Sequence, residues 1–90
     1  MARPRKHRRV RWHPRVNIFT PYGQTRADFE LVEISREEAE AIRLKNVIGL
    51  EQTAAAVKMR TSQSTFQRIL TSAYYKLAVG IIYGRGIRIK

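Results

Sequence analysis

Cysteine is absent from this sequence of 90 residues. Neither a disulfide framework nor a thiolate metal centre can therefore staple the fold. Long apolar runs are missing as well. The Arg-rich start has no hydrophobic segment behind it, so neither a membrane span nor a secretory leader is expected. Carboxylates are scarce and confined: Asp28, Glu30, Glu33, Glu37, Glu38, Glu40 and Glu51 are the only acids, and residues 1–15 and 52–90 contain none. There is no Gly-rich phosphate loop and no nucleophile–base pair by motif, so an enzyme is not expected. His7 and His13, without cysteine beside them, make a poor metal site, and no cofactor is expected.

What is abundant is positive charge. Eighteen Lys and Arg against seven acids leave a formal net charge of +11. Seven basic residues (Arg3, Arg5, Lys6, Arg8, Arg9, Arg11 and Arg15) crowd the first fifteen positions, and seven more lie between 52 and 90. Cationic ends around an acidic middle suit a polyanion partner, with the middle left to solvent or to another protein. Solubility alone is better served by mixing the signs. The length argues for a single domain with a thin core, which 43% apolar residues are enough to fill. The expected organisation is a flexible basic arm over residues 1–9 and one domain over 10–90, in a soluble protein of the cytoplasm associated with the nucleoid.

Along the chain, Val10–Trp12 reads as a short strand closed by His13-Pro14. Val16–Phe19 reads as a second extended piece, and Pro21-Tyr22-Gly23 as a turn. Residues 29–34 are ambiguous between strand and loop. Ser35-Arg36-Glu37-Glu38 is a capping box, with Ser at the cap and Glu three positions on. The helix it opens is expected to run to about Asn46, with Ala39, Ile42 and Leu44 facing inward. Gly49 permits a backbone angle that bulkier residues resist. A short helix then spans Gln52–Met59, where Ala54, Ala55 and Ala56 let another helix approach closely. The connector Arg60-Thr61-Ser62 leads into a long helix from Gln63 to about Tyr83, with Ser62 as its N-cap. Gly84 and Gly86 break that helix, and Ile87–Ile89 reads as a terminal strand that could pair with Val10–Trp12.

Within the long helix, Phe66, Ile69, Leu70, Ala73 and Leu77 make one apolar stripe. Ser64, Arg68, Thr71 and Tyr75 fall on the opposite face, flanked by Gln67, and no acid interrupts them. Two helices joined by a tight connector, the second carrying such a face, form a helix–turn–helix. The second helix of that motif can enter the DNA major groove. Gln63, Ser64, Gln67, Arg68 and Thr71 are the candidate base contacts, because Arg forks onto guanine and Gln onto adenine. Arg68 has an alternative use as a structural partner for Glu40. Thr65, Tyr75 and Lys76 are candidate contacts to the DNA backbone, together with Arg3, Arg5, Lys6, Arg8 and Arg9 of the arm. The arm either enters a minor groove or acts as a phosphate-seeking tail. Trp12, Tyr74 and Tyr75 lie among basic residues, a pattern compatible with base stacking, but Trp12 is better read as a core plug.

The pattern Ser35-x-x-Glu38, Arg43-Leu44, Gly49-Leu50, Ala55-Ala56-x-x-Met59-x-x-Ser62-x-x-Thr65-Phe66-x-Arg68-x-Leu70-x-x-Ala73-x-x-Lys76-Leu77 resembles region 4 of bacterial sigma factors. With Arg3-Pro4-Arg5-Lys6-x-Arg8-Arg9-Val10 and Pro14-x-Val16-x-x-Phe19-x-Pro21-x-Gly23 upstream, the chain resembles uncharacterised protein family 0251 (domain of unknown function 134). The likeness covers residues 2–90. It implies a mainly α fold with a three-helix core and a sigma-region-4-like helix–turn–helix, in a prokaryotic DNA-binding protein. The chain departs from the family pattern at several places. Arg60 stands where glycine usually makes the turn, so the turn must be built with a side chain present; arginine tolerates the left-handed region at a cost of about 1 kcal/mol and offers a further phosphate contact. Ser64 replaces a usual proline, Glu51 a usual Ser or Thr cap, and His7 and Arg11 stand where cysteine is frequent.

These readings converge on a transcriptional regulator that binds double-stranded DNA. A single motif of this size reads only a few base pairs, so a homodimer or a partner is expected. Two rivals stand beside it. One is an RNA-binding, ribosome-associated protein. The other is an adaptor that touches RNA polymerase through the acidic segment Asp28–Glu40.

Overall fold

A computed structural model describes residues 10, 12–25 and 29–90. Strand β1 (Ile18–Phe19) and strand β2 (Leu31–Ile34) precede three helices: α1 (Arg36–Ile42), α2 (Gln52–Lys58) and α3 (Gln63–Ile82). Strand β3 (Gly86–Ile89) closes the chain. The protein is mainly α with a small three-stranded sheet, as its sequence pattern predicts. Among the described residues no helix is long and apolar enough to cross a membrane.

The helix boundaries follow from local chemistry. Ser35 lies extended (φ −71°, ψ 161°) and its hydroxyl accepts from the Glu38 amide, while the Glu38 carboxylate accepts from the Ser35 amide at 2.8 Å. That capping box opens α1 where the sequence predicts it. The coil runs past the expected end at Asn46, because Arg43–Ile48 continues it as a wider π-helical turn. It stops at Gly49, whose φ of 89° is left-handed. The Gly49 and Leu50 amides both close onto the Leu44 carbonyl. Glu51 precedes α2 without a side-chain capping bond, so that boundary rests on packing and on the attraction of its charge to the helix start.

The core lies where α1 and α2 meet the first half of α3. Ala41, Leu44, Ala55, Ala56, Met59, Phe66 and Leu70 form one buried cluster, and Phe66 and Met59 are wholly enclosed. Ala55 and Ala56 permit the close crossing expected of them, whereas Ala54 is exposed. Along α3 the apolar stripe behaves as the spacing predicts. Phe66, Leu70 and Ala73 are buried, and Ile69 and Leu77 half-buried.

The sheet corrects one expectation. Ile87–Ile89 is a strand, but Val10–Trp12 is not its partner. Both edges of β3 are taken, in the order β1-β3-β2. On one side β1 runs antiparallel to it, Ile18 opposite Arg88 and Phe19 opposite Ile87. On the other, β2 runs parallel, from Leu31 opposite Gly86 to Ile34 opposite Ile89. A parallel pair needs a long crossover, and here all three helices supply it. Gly86 lets the side chains of Phe29 and Leu31 lie against this strand, since a Cβ there would meet Phe29 Cε1 at 2.7 Å and Leu31 Cδ2 at 2.8 Å and both would have to shift. Val10 and Trp12 carry no strand structure, and Arg11 lies outside the described residues. Trp12 instead is half-buried and lines, with Phe19, Ile34, Ile87 and Ile89, an apolar hollow between sheet and helices.

Candidate nucleic-acid interface

The connector between α2 and α3 sets the angle at which α3 leaves the body. Its turn is made by Arg60 at φ 56°, the one described non-glycine residue with positive φ. Left-handed arginine costs roughly 1–2 kcal/mol. The Thr61 amide on the Ala56 carbonyl and the Arg60 amide on the Val57 carbonyl, both at 3.0 Å, hold the chain there. Ser62 then caps α3: its hydroxyl accepts from the Thr65 amide at 3.1 Å and donates to Thr65 Oγ1 at 2.9 Å. Arg60, with no partner on its guanidinium among the described residues, projects from the turn as an exposed cation.

Beyond the cap, one face of α3 is polar and open. Gln63, Ser64, Gln67, Arg68 and Thr71 are all exposed. The structure brings them together and adds a residue that sequence reasoning missed. Gln52, at the start of α2, donates through Nε2 to Gln67 Oε1. Gln67 Nε2 in turn donates to Thr71 Oγ1 at 3.1 Å, and Arg68 Nη2 reaches Thr65 Oγ1 at 3.4 Å. These bonds orient the side chains without exhausting them. Gln67 keeps one N–H and one lone pair, and Arg68 most of its five donors. Gln52 falls on this face only because α2 crosses α3, and its separation of 15 positions from Gln67, on a different helix, is not a spacing that sequence could reveal.

The alternative use of Arg68 as a partner for Glu40 is not realised. Buried Glu40 is held by Arg43 through Nε at 2.8 Å and Nη2 at 3.0 Å, a two-pronged pair within α1 and its extension. Among the described residues no carboxylate pairs with Lys58, Arg60 or Arg68. Their charge is left to the surface beside the polar face.

Other candidates are placed differently. Lys76 turns inward. Its Nζ lies 3.0 Å from both oxygens of buried Glu38, which also accepts from Ser72 Oγ at 2.5 Å. Burial alone would push the Glu38 carboxyl up, but hydrogen bonds from Ser72, the Ser35 amide and Lys76, with the charge of Lys76, hold it below its ordinary value. Glu38 is therefore a clasp between α1 and α3, and Lys76 serves it. Thr65 is half-buried within the cap. Tyr75 is open to solvent, whereas Tyr74 Oη donates to Asn46 Oδ1 at 2.5 Å. Arg3, Arg5, Lys6, Arg8, Arg9 and His7 lie outside the described residues.

The acidic middle is largely engaged within the chain. Besides Glu38 and Glu40, Glu30 meets Arg85 at 3.4 Å, and Glu33 meets Arg88 at 3.8 Å and Lys90 at 3.4 Å. The segregation of charge along the sequence is thus partly undone in space: the carboxylates clasp helices and strand β3. On the α2–α3 side the cations Lys58, Arg60 and Arg68 have no ion pair among the described residues, and Glu51 at the start of α2 is an exposed carboxylate beside them.

Fold and surface together define a class: a small three-helix domain backed by a three-stranded sheet, with a polar, cationic face on its longest helix. Over residues 1–90 the chain matches the family described as "Protein of unknown function DUF134". It is 48% identical over 88 residues to a UPF0251 protein of Halothermothrix orenii, covering 98% of this chain and 65% of that one. It is 46% identical over 90 residues to a UPF0251 protein of Dehalococcoides mccartyi, covering all of this chain and 77% of the relative. A UPF0251 protein of Clostridium tetani is 43% identical over 89 residues, with 99% of this chain and 60% of the relative covered. The chain belongs to this family, and it spans roughly three fifths to three quarters of the length of these relatives. No solved structure matches it.

Proposed function

We propose that the protein binds double-stranded DNA as a transcriptional regulator, with α2, the Arg60 turn and α3 acting as a helix–turn–helix. The observation that carries this reading is the face of α3: Gln63, Ser64, Gln67, Arg68 and Thr71 are exposed together with no carboxylate among them, and hydrogen bonds orient Gln67, Arg68 and Thr71. An ordinary solvated helix face mixes in glutamates, whereas a face without them meets no charge repulsion from the phosphates that line both rims of a groove. In this reading Gln67 and Arg68 address base edges. Arg60, Lys58 and Tyr75 meet the sugar–phosphate backbone, and the arm residues Arg3, Arg5, Lys6, Arg8 and Arg9 add further cationic contacts. A single α3 reads only a few base pairs, so a second copy of the chain, or a partner, completes the site.

The test is a salt series. Each phosphate neutralised contributes about −0.9 to the slope of log affinity against log salt for duplex DNA. We expect a slope of about −4 or steeper, and Arg60→Gln to reduce its magnitude by about 1, one phosphate contact. Structured RNA of equal length is expected to bind more weakly at every salt concentration. Equal or tighter binding of the RNA would contradict the reading.

A further inference from the structure

A second basic feature lies away from α3. Where the chain enters the sheet and α1 begins, His13, Arg15, Asn17, Arg36 and Lys90 line a concave hollow of about 400 Å³. No carboxylate is among the lining residues. Lys90 leans toward Glu33, at 3.4 Å, and is partly neutralised, whereas Arg15 is exposed and without an ion pair among the described residues.

Arg36 supplies the observation that needs explaining. Its Nη2 donates to His13 Nδ1. Its Nε is buried and has no hydrogen-bond partner among the described residues. A buried guanidinium N–H left unpaired is costly, and folded proteins keep very few. The Nε–Nη edge of arginine is a two-pronged donor whose spacing matches two oxygens of one phosphate. Arg36 lines the hollow, and because Nε is buried and Nη2 is on His13, the guanidinium would have to turn to present that edge to a ligand there. With Nδ1 accepting from Arg36, a neutral His13 ring would have its N–H at Nε2, a further donor.

We propose that this hollow is a phosphoryl-binding site. Arg36 grips two oxygens of the anion, Arg15 neutralises it from the open side, and His13 and Lys90 complete the donor set. None of these residues belongs to the α3 face, so the site stands whether or not α3 reads DNA. The phosphoryl group is either a backbone phosphate of bound nucleic acid or part of a free phosphorylated small molecule. The donor chemistry is the same for both.

The experiment is calorimetric titration of the full chain with sodium pyrophosphate at fixed ionic strength. Saturable binding is expected, weakened roughly tenfold or more by Arg36→Gln and by Arg15→Gln, and unchanged by Arg68→Ala. Circular dichroism melts check that each variant folds; should Arg36→Gln not fold, the exposed Arg15→Gln decides. Absence of binding at millimolar pyrophosphate overturns the proposal, and so does equal weakening by Arg68→Ala. Between the two sources, a salt slope for duplex binding that loses about 1 in Arg15→Gln identifies a backbone phosphate. An unchanged slope with pyrophosphate binding lost identifies a free ligand.

Discussion

Alanine at both Gln67 and Arg68 is expected to abolish discrimination between DNA sequences while leaving the fold and general DNA affinity largely in place. Both side chains are exposed and contribute nothing to the buried cluster around Phe66, so their removal should cost little stability. Their value lies at base edges, where a good bidentate contact discriminates by roughly 1–3 kcal/mol. Two such contacts together correspond to a loss of about thirtyfold to roughly twenty-thousandfold in the ratio of specific to nonspecific affinity, if they add. Binding isotherms on a preferred duplex and on a scrambled one, each with the wild-type chain and the double variant, measure that ratio. A variant that keeps the wild-type ratio removes α3 from the role of reader. Gln52→Ala is expected to have a weaker effect in the same direction, because it frees Gln67 from the bond that orients it.

The second large effect is expected at Glu38. Its carboxylate receives the Ser35 amide, Ser72 and Lys76, and so joins the cap of α1 to the middle of α3. Glu38→Gln removes the charge and puts an N–H₂ where an acceptor is needed. Breaking a buried pair from one side costs roughly 3–5 kcal/mol. Lys76 is 37% exposed and can turn to water, so a loss of about 2 kcal/mol is expected, or roughly 8–16 °C in melting temperature. The pH dependence has a definite sign. A carboxyl held below its ordinary value of 4.5 contributes its full stability above that pH and loses it as pH falls through the folded value. The stability gap between wild type and Glu38→Gln should therefore be constant near neutrality and close progressively below about pH 4.5. Paired thermal melts at neutral and acid pH would show it. A gap that stays constant into acid would mean that the carboxylate is not the clasp.

Much of this fold is legible in sequence wherever the signal is local. The capping box at Ser35 and Glu38, the Ser62 cap, the left-handed Gly49, and the stripe from Phe66 to Leu77 each depend on residues within a few positions of one another, whereas the left-handed Arg60 is legible only against the family pattern. Non-local chemistry is what escapes. The parallel pairing of β2 with β3 joins residues more than fifty positions apart, and nothing in Leu31–Ile34 names Gly86–Ile89 as its partner. A pairing of Val10–Trp12 with that strand satisfies the same local pattern, and only the prior claim of β1 on the edge excludes it. Glu38 is readable as a cap but not as a partner of Ser72 and Lys76. For the same reason Lys76, a free cation on a helical wheel, is tied inward. The exposed set from Gln63 to Thr71 follows from the wheel alone, whereas the contribution of Gln52 requires the crossing of two helices.

The most direct measurement is selection by the intact chain from a random duplex library at about 150 mM salt, where counterion competition suppresses purely electrostatic binding. The account predicts enrichment of a defined motif a few base pairs long, repeated with two-fold symmetry if a second copy completes the site. Binding that yields no motif and simply declines with added salt would contradict it, and would leave α3 as a cationic surface that reads nothing.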